Sequence, residues 1–282
     1  MENVLRTLVY DGQVSLTLAD TTNLVAEGIR LHKLSPVSAT VFGKALSVMA
    51  FMSASLKNPE GEISFSIKSD GSCGEISVSG NFHQYLRGYI QETQAAGTCS
   101  LRAQKDCLGE NGSLTVIRDD RYARPFVGAC AFPKNADEDG VFEEYYRISE
   151  QLPTRIKTLV ELDESGNCVF AGVAVLQPLP FADEETLKKV DAFDLAALLD
   201  SAKTLGVQAS VKQSFETDEK VWELKNAVYK CNCSREYLRG VLVSLGEAQM
   251  REIIKEDGAV LVHCHYCNSD YAFTEQDADE MF

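Results

Sequence analysis

Four cysteines near the end of the chain carry its clearest chemistry. They form two close pairs, Cys231-Asn-Cys233 and Cys264-His-Tyr-Cys267, with residues 234–263 between them. Two such pairs, brought together by an intervening fold, place four soft thiolate ligands around one point. That donor set suits zinc, a d10 ion that takes four sulfurs tetrahedrally with no geometric preference of its own. Side chains two apart on a strand face the same way, so Cys231 and Cys233 are expected to point at one metal from extended backbone. Cys264 and Cys267 need a tight knuckle, and residues 260–263 and 271–273 are predicted as the two arms of a hairpin. Two rival readings are a set of buried free thiols and a thioredoxin-like redox pair. The redox pair requires Cys-x-x-Cys to open a helix, whereas residues 268–271 read as turn, then strand. His263 and His265 flank the knuckle as alternative ligands, although a histidine there more commonly supports a ligand or faces solvent.

The elements that must position these cysteines are small. Ser234 is predicted to cap a helix reaching Leu242. Ser244-Leu-Gly-Glu247 has the spacing of a capping box, opening a second helix with Met250, Ile253 and Ile254 on one face and Gly258 at its end. About fifty residues with so few apolar side chains are marginal alone. Structural zinc contributes roughly 10–16 kcal/mol of apparent binding energy in small domains, so this region is expected to be folded only with its metal.

The whole chain has 282 residues, 45% of them hydrophobic, enough for a core and for two domains. Its net charge is −15 and its pI about 4.7. Nucleic-acid affinity rests on Lys and Arg neutralising phosphates, and the acidic balance argues against it. Residues 229–282 have the same bias, with five Lys and Arg against ten Asp and Glu. Nine cysteines, an odd number, argue against a complete disulfide framework. The opening Met1-Glu-Asn-Val-Leu-Arg6 has no apolar signal core, so a reducing cytoplasmic setting is expected. Cys73, Cys99, Cys107, Cys130 and Cys168 lack metal spacing and read as buried small hydrophobes or incidental surface thiols.

From the start, residues 3–10 and 13–19 read as a hairpin turning at Asp11-Gly12, with Val14, Leu16 and Leu18 the apolar members of a half-buried strand. A helix over 22–32 precedes one over 36–56, capped by Ser35 before Pro36. The second is apolar enough to resemble a membrane span, but Lys44 and recurrent serines favour a buried central helix. Strands follow near 63–67, 75–79, 85–91, 113–118, 125–132, 154–162 and 168–176, with a helix over 137–149. Residues 1–180 therefore read as an α+β core domain with antiparallel sheets. Residues 181–228 read as a charged helical linker, with Leu187, Val190, Phe193, Leu195, Leu198 and Leu199 at helical spacing and too little core to fold alone. Residues 229–282 form the small four-cysteine zinc domain. Trp222 stands where it could report docking of the linker. Gly43-Lys44 is followed by Ala45 and lacks the upstream glycine of a phosphate-binding loop. No nucleophile elbow or dinucleotide fingerprint occurs, and His32 and His83 stand alone, so neither an enzyme nor ATP use is expected.

Cys-x-Cys followed about thirty residues later by Cys-x-x-Cys, in an acidic chain of this length, resembles the redox-regulated 33 kDa heat-shock chaperonin family. So do Phe42-Gly-Lys-Ala-Leu46, Gly112-Ser-Leu-Thr-Val-Ile117, Tyr145-Tyr146 with Ser149-Glu-Gln-Leu-Pro-Thr154, Ser244-Leu-Gly246 and the run from Cys264 to Asn268. The resemblance covers nearly the whole chain; the five other cysteines lie outside it. It implies an ATP-independent holdase for unfolded client proteins, with no nucleic-acid or membrane partner. In the reduced form Cys231, Cys233, Cys264 and Cys267 hold one zinc ion and the chaperone is inactive. Oxidation pairs Cys231 with Cys233 and Cys264 with Cys267, releases zinc, unfolds the C-terminal region, loosens the linker and yields a dimer. The alternatives are a zinc-dependent nucleic-acid-binding or transcription factor and a thiol oxidoreductase.

Overall fold

Alternating apolar residues make the first two strands, β1 (Val4–Val9) and β2 (Val14–Asp20), an antiparallel hairpin with Val9 opposite Val14. Its turn holds Tyr10, Asp11 and Gly12 at positive φ. Asp20 Oδ1 accepts from the amide and hydroxyl of Thr22 and so starts α1 (Thr22–His32). Ser35 caps α2 (Pro36–Ala54), with Pro36 at its start, where no intrahelical donor is needed. There follow β3 (Glu62–Ser69), β4 (Ile76–Asn81), β5 (Tyr85–Ile90), α3 (Leu101–Leu108), β6 (Gly112–Asp119) and β7 (Phe126–Ala131). Then come α4 (Glu138–Tyr145), continued by a π-helical turn at Tyr146–Glu150, and the long pair β8 (Arg155–Leu162) and β9 (Cys168–Pro178). The computed structural model describes residues 2–97 and 100–282, so Cys99 lies outside the described residues.

These strands form two sheets, in an α+β arrangement. After β9 the chain makes three short helices, α5 (Glu184–Ala192), α6 (Leu195–Leu205) and α7 (Val207–Ser214), then two short strands, β10 (Glu223–Lys225) and β11 (Val228–Tyr229). One sheet has the order β10-β1-β2-β9-β8 and is antiparallel throughout. The other has the order β11-β5-β4-β3-β6-β7, antiparallel except for β11 beside β5. Helix α2 touches strands of both sheets and is buried from Val37 to Ala54. It is long and apolar enough to cross a membrane by composition, yet 94% of that stretch is buried within the chain. Its hydroxyls tolerate burial because Thr40, Ser47 and Ser53 donate to carbonyls four residues back. Gly43 and Lys44 sit inside this helix, so they form no phosphate loop.

The linker helices cover the outer face of the five-stranded sheet. Val190, Leu195, Leu198, Leu199 and Val211 pack on Leu5, Leu16, Leu18, Phe170 and Leu176. Strand β2 is consequently buried on both faces, not half-buried as its alternation suggests. Leu187 stays largely exposed, while Trp222 packs at the edge of this cluster. The helical reading of 181–228 fails at its end: residues 223–229 are the strands β10 and β11, which join both sheets. Ladder bonds drive this, helped by Asn3, whose side chain donates to Ala227 O and accepts from Ala227 N. Helix α3 was not expected. It is eight residues long, polar, and identified mainly by its Ser100 cap.

The chain divides into two compact units, Met1–Tyr229 and Lys230–Phe282. The second contains α8 (Arg235–Leu245), α9 (Glu247–Asp257), β12 (Val260–Cys264), β13 (Ser269–Phe273) and α10 (Glu275–Met281).

In the first unit Glu138, at the start of α4, is buried, and its Oε1 has no hydrogen-bond partner. Burial pushes its carboxyl well above the usual range; Lys44 opposes this, and Asp139 and Asp137 add to it. The folded state therefore holds this proton more tightly than the unfolded chain does. Stability attributable to the site falls as pH rises past the unfolded carboxyl value of about 4.3. Glu138→Gln should remove that component: urea midpoints from pH 5 to pH 8 should decline less steeply in the variant than in the parent chain.

Candidate metal centre

Residues 260–273 form the predicted hairpin, with Val260 opposite Phe273 and Cys264 opposite Ser269. Asn268, in the left-handed region at φ 56°, donates its N–H to Cys264 O and closes the knuckle that holds Cys264 and Cys267. Cys231 and Cys233 arrive differently from the sequence reading. They follow β11 in irregular backbone, outside any strand. Next to them, Ser234 Oγ accepts from Tyr237 N and fixes the start of α8. Ser244 does not open a capping box. It lies in the last turn of α8, its hydroxyl donating to Gly240 O, and Gly246 at φ 95° separates the two helices.

The four Sγ atoms all lie within 4.8 Å of one another. Cys231 and Cys264 approach to 3.7 Å, and Cys233 and Cys267 to 3.1 Å. A tetrahedral zinc with Zn–S of about 2.3 Å separates its sulfurs by about 3.8 Å, so the donor set matches that ion in type and spacing. Burial pushes the thiols of Cys231 and Cys233 up. Tyr271, 3.3 Å from Cys233 Sγ, is raised to about 12, first by that hydrogen bond and then by burial. Cys267 Sγ is 3.3 Å from Ser269 Oγ. Tyr271 and Ser269 were not singled out as site residues; their alternation with the knuckle was the only available signal. His263 is outside the four-sulfur cluster and pairs through Nδ1 with Asp270 Oδ1, opposite it on β13. The cluster likewise does not include His265.

The shell holding the sulfurs is thin. Its core is Leu242, Met250, Ile254, Val260, Phe273 and Ala278. Charge adds staples around it. Arg251 pairs with Glu247, Glu275 and Asp279, and Arg235 bonds Asp277 while lying 4.6 Å over the Phe273 ring. These are partly exposed pairs, each worth little alone.

The remaining described cysteines divide in two. Cys130 is a buried small hydrophobe and Cys168 a half-buried one at the edge of the core; burial above all pushes their thiols up, to about 11 and about 12. Cys73 and Cys107 are buried too, but they lie side by side at disulfide distance, with Cα atoms 4.9 Å apart. The two residues are 34 apart in sequence, so spacing gave no sign of it.

A profile of the Hsp33 protein family matches residues 2–274. The chain belongs to the Hsp33 family. Among its relatives are proteins named 33 kDa chaperonin from Clostridium novyi and Bacillus cytotoxicus. Each is 29% identical, with 99% of this chain and 97% of the relative covered. The crystal structure of the 33 kDa chaperonin, a heat shock protein 33 homolog, from Thermotoga maritima matches with a TM-score of 0.84. It is 22% identical and covers 99% of this chain and 97% of that one. The Hsp33 fold is therefore shared across both units.

Phe273 is fully buried at the centre of the thin core, and truncating such a ring typically costs about 3–5 kcal/mol. Phe273→Ala should accelerate amide hydrogen exchange across residues 230–282 and leave exchange in α2 unchanged.

Proposed function

We propose that this protein is a redox-regulated, ATP-independent holdase. Its proposed plan is a core domain over residues 1–180, a linker over 181–228 and a switch domain over 229–282. The observation that carries the reading is the convergence of Cys231, Cys233, Cys264 and Cys267 in a unit whose own core has only six buried side chains. When bound there, zinc supplies a cross-link between the two halves of the unit and keeps the sulfurs deprotonated. The core alone is too small to replace that cross-link.

Oxidation by peroxide removes the ligands. Each neighbouring pair of thiolates passes two electrons to one peroxide, which takes up two protons and leaves as two waters while one S–S bond forms. Pairing within Cys231 and Cys233, and within Cys264 and Cys267, is favoured once the unit opens. Partners two or three residues apart stay close in a loose chain, whereas the cross-pair contacts depend on the fold. Cys231 lies two positions after Tyr229, so the opened segment starts where the linker strands end.

The linker then becomes the second responsive element. Helices of eight to eleven residues are marginal in water, and α5–α7 are held by packing on the sheet. Loosening them uncovers Leu5, Leu16, Leu18, Phe170 and Leu176, with the helices' own apolar stripes, as a surface for unfolded clients. The oxidised form is proposed to act as a homodimer in the cytoplasm, without nucleic acid and without catalysis. The acidic charge balance and the helical setting of Gly43 and Lys44 support that reading. Cys264 and Cys267 occupy a hairpin knuckle, not a helix N-terminus, which disfavours an oxidoreductase.

Peroxide treatment should release one equivalent of zinc, deprotect residues 230–282 to hydrogen exchange and increase suppression of aggregation of a heat-unfolding client. Cys233→Ser should lower zinc content in the reduced protein. An oxidised, metal-depleted form that suppresses aggregation no better than the reduced form overturns the reading.

A further inference from the structure

We infer that Cys73 and Cys107 are a second redox site, separate from the four-cysteine centre, whose oxidation clamps the folded core while oxidation of the other centre opens the C-terminal unit. The turn between β3 and β4 and the end of α3 are held together by backbone, independently of the sulfurs. Cys73 N–H donates to Cys107 O at 2.9 Å, and Ser72 N–H to Asp106 O at 3.2 Å. Asp70 Oδ1 accepts from the amides of Glu110 and Asn111, and Asp70 N–H donates to Asn111 O. A side chain at Gly71 would strike the Cys107 carbonyl and the Gly109 amide, so glycine is required for so close an approach.

This scaffold presents the two sulfurs to each other before any bond forms. Their Cα separation of 4.9 Å falls within the ordinary disulfide range. A dithiol held in place loses little further freedom on closing, so its disulfide forms more readily than one between freely moving thiols. The four-cysteine centre has the opposite bias, because there a bound metal competes for the sulfurs. The oxidant is a low-molecular-weight disulfide such as oxidised glutathione. Two thiols give up two protons and two electrons through a mixed disulfide, one protein S–S bond forms, and two small thiols are released. Both sulfur-bearing residues are fully buried, so exchange waits on local opening and is slow in either direction.

The consequence is structural. The bond closes a loop spanning β4, β5 and most of α3, its ends 34 apart in sequence, and so restricts the unfolded chain. That loop also holds the N-terminus of α2: Ser35 N–H donates to Thr93 O, Ser35 Oγ to Ala95 O, and Ser38 Oγ to Glu92 O. One oxidising condition would thus firm the seat of the central helix and release the C-terminal unit.

Trypsin places the relevant cysteines in separate peptides, residues 69–87, 88–102 and 106–118. Full-length, zinc-loaded protein is equilibrated in glutathione buffers of graded ratio, quenched by alkylation and mapped by mass spectrometry. The 69–87 and 106–118 peptides should be linked at ratios where zinc is still fully bound. Thermal unfolding of those samples should occur at higher temperature than after dithiothreitol treatment, and Cys73→Ala with Cys107→Ala should abolish that shift. Metal content in the same samples reads the four-cysteine centre separately. The inference is overturned if both cysteines stay alkylated at every ratio, if the linked peptide appears only after zinc has gone, or if Cys73 is linked instead to the 88–102 peptide. Peptide mapping of the unmutated chain decides this even if the double variant fails to fold.

Discussion

Four sulfur atoms within 4.8 Å of one another form an arrangement that a small protein cannot keep by packing alone. As thiols they are weak hydrogen-bonding partners; as thiolates they repel. A cation of tetrahedral habit would resolve the conflict. The three helices and the hairpin of the second unit share one small core, while arginines reach across to carboxylates at its surface. Little stability is placed in burial, and a metal held by the four sulfurs would supply the cross-link that this core lacks.

The first unit is built on the reverse principle. Its central helix is buried along almost its full length between strands of two sheets, within an extensive apolar core. The exception is the layer added last in sequence. Helices α5 to α7 are short, charged outside and apolar on one stripe, and they lie on a sheet face that would otherwise be exposed. Such a layer is ordered by what it covers. The chain thus runs from a large apolar core, through a dependent layer, to a small unit around four clustered sulfurs.

Much of this was legible in the residues. Strong period-two alternation gave the strands, and Ser35 before Pro36 gave the start of α2. The cysteine pairs gave the site, because ligand spacing is local. The failures share one cause: long-range partners override local pattern. Strand β2 looked half-buried because its second cover comes from helices some 180 residues later. Residues 223–229 looked helical until β1 and β5 offered them ladder bonds. Cys231 and Cys233 looked like a strand but lie in irregular backbone. Cys73 and Cys107 looked unrelated because their proximity is made by Gly71 and by the end of α3, an eight-residue helix with no strong apolar signature.

The two hydrogen bonds between Asn3 and Ala227 join the amino-terminal strand to the segment just ahead of the cysteines. Through them the first unit is stitched shut at the point where the chain leaves it. A fusion or trimming at the amino end would therefore act on the same stitch as a pull from the carboxyl end.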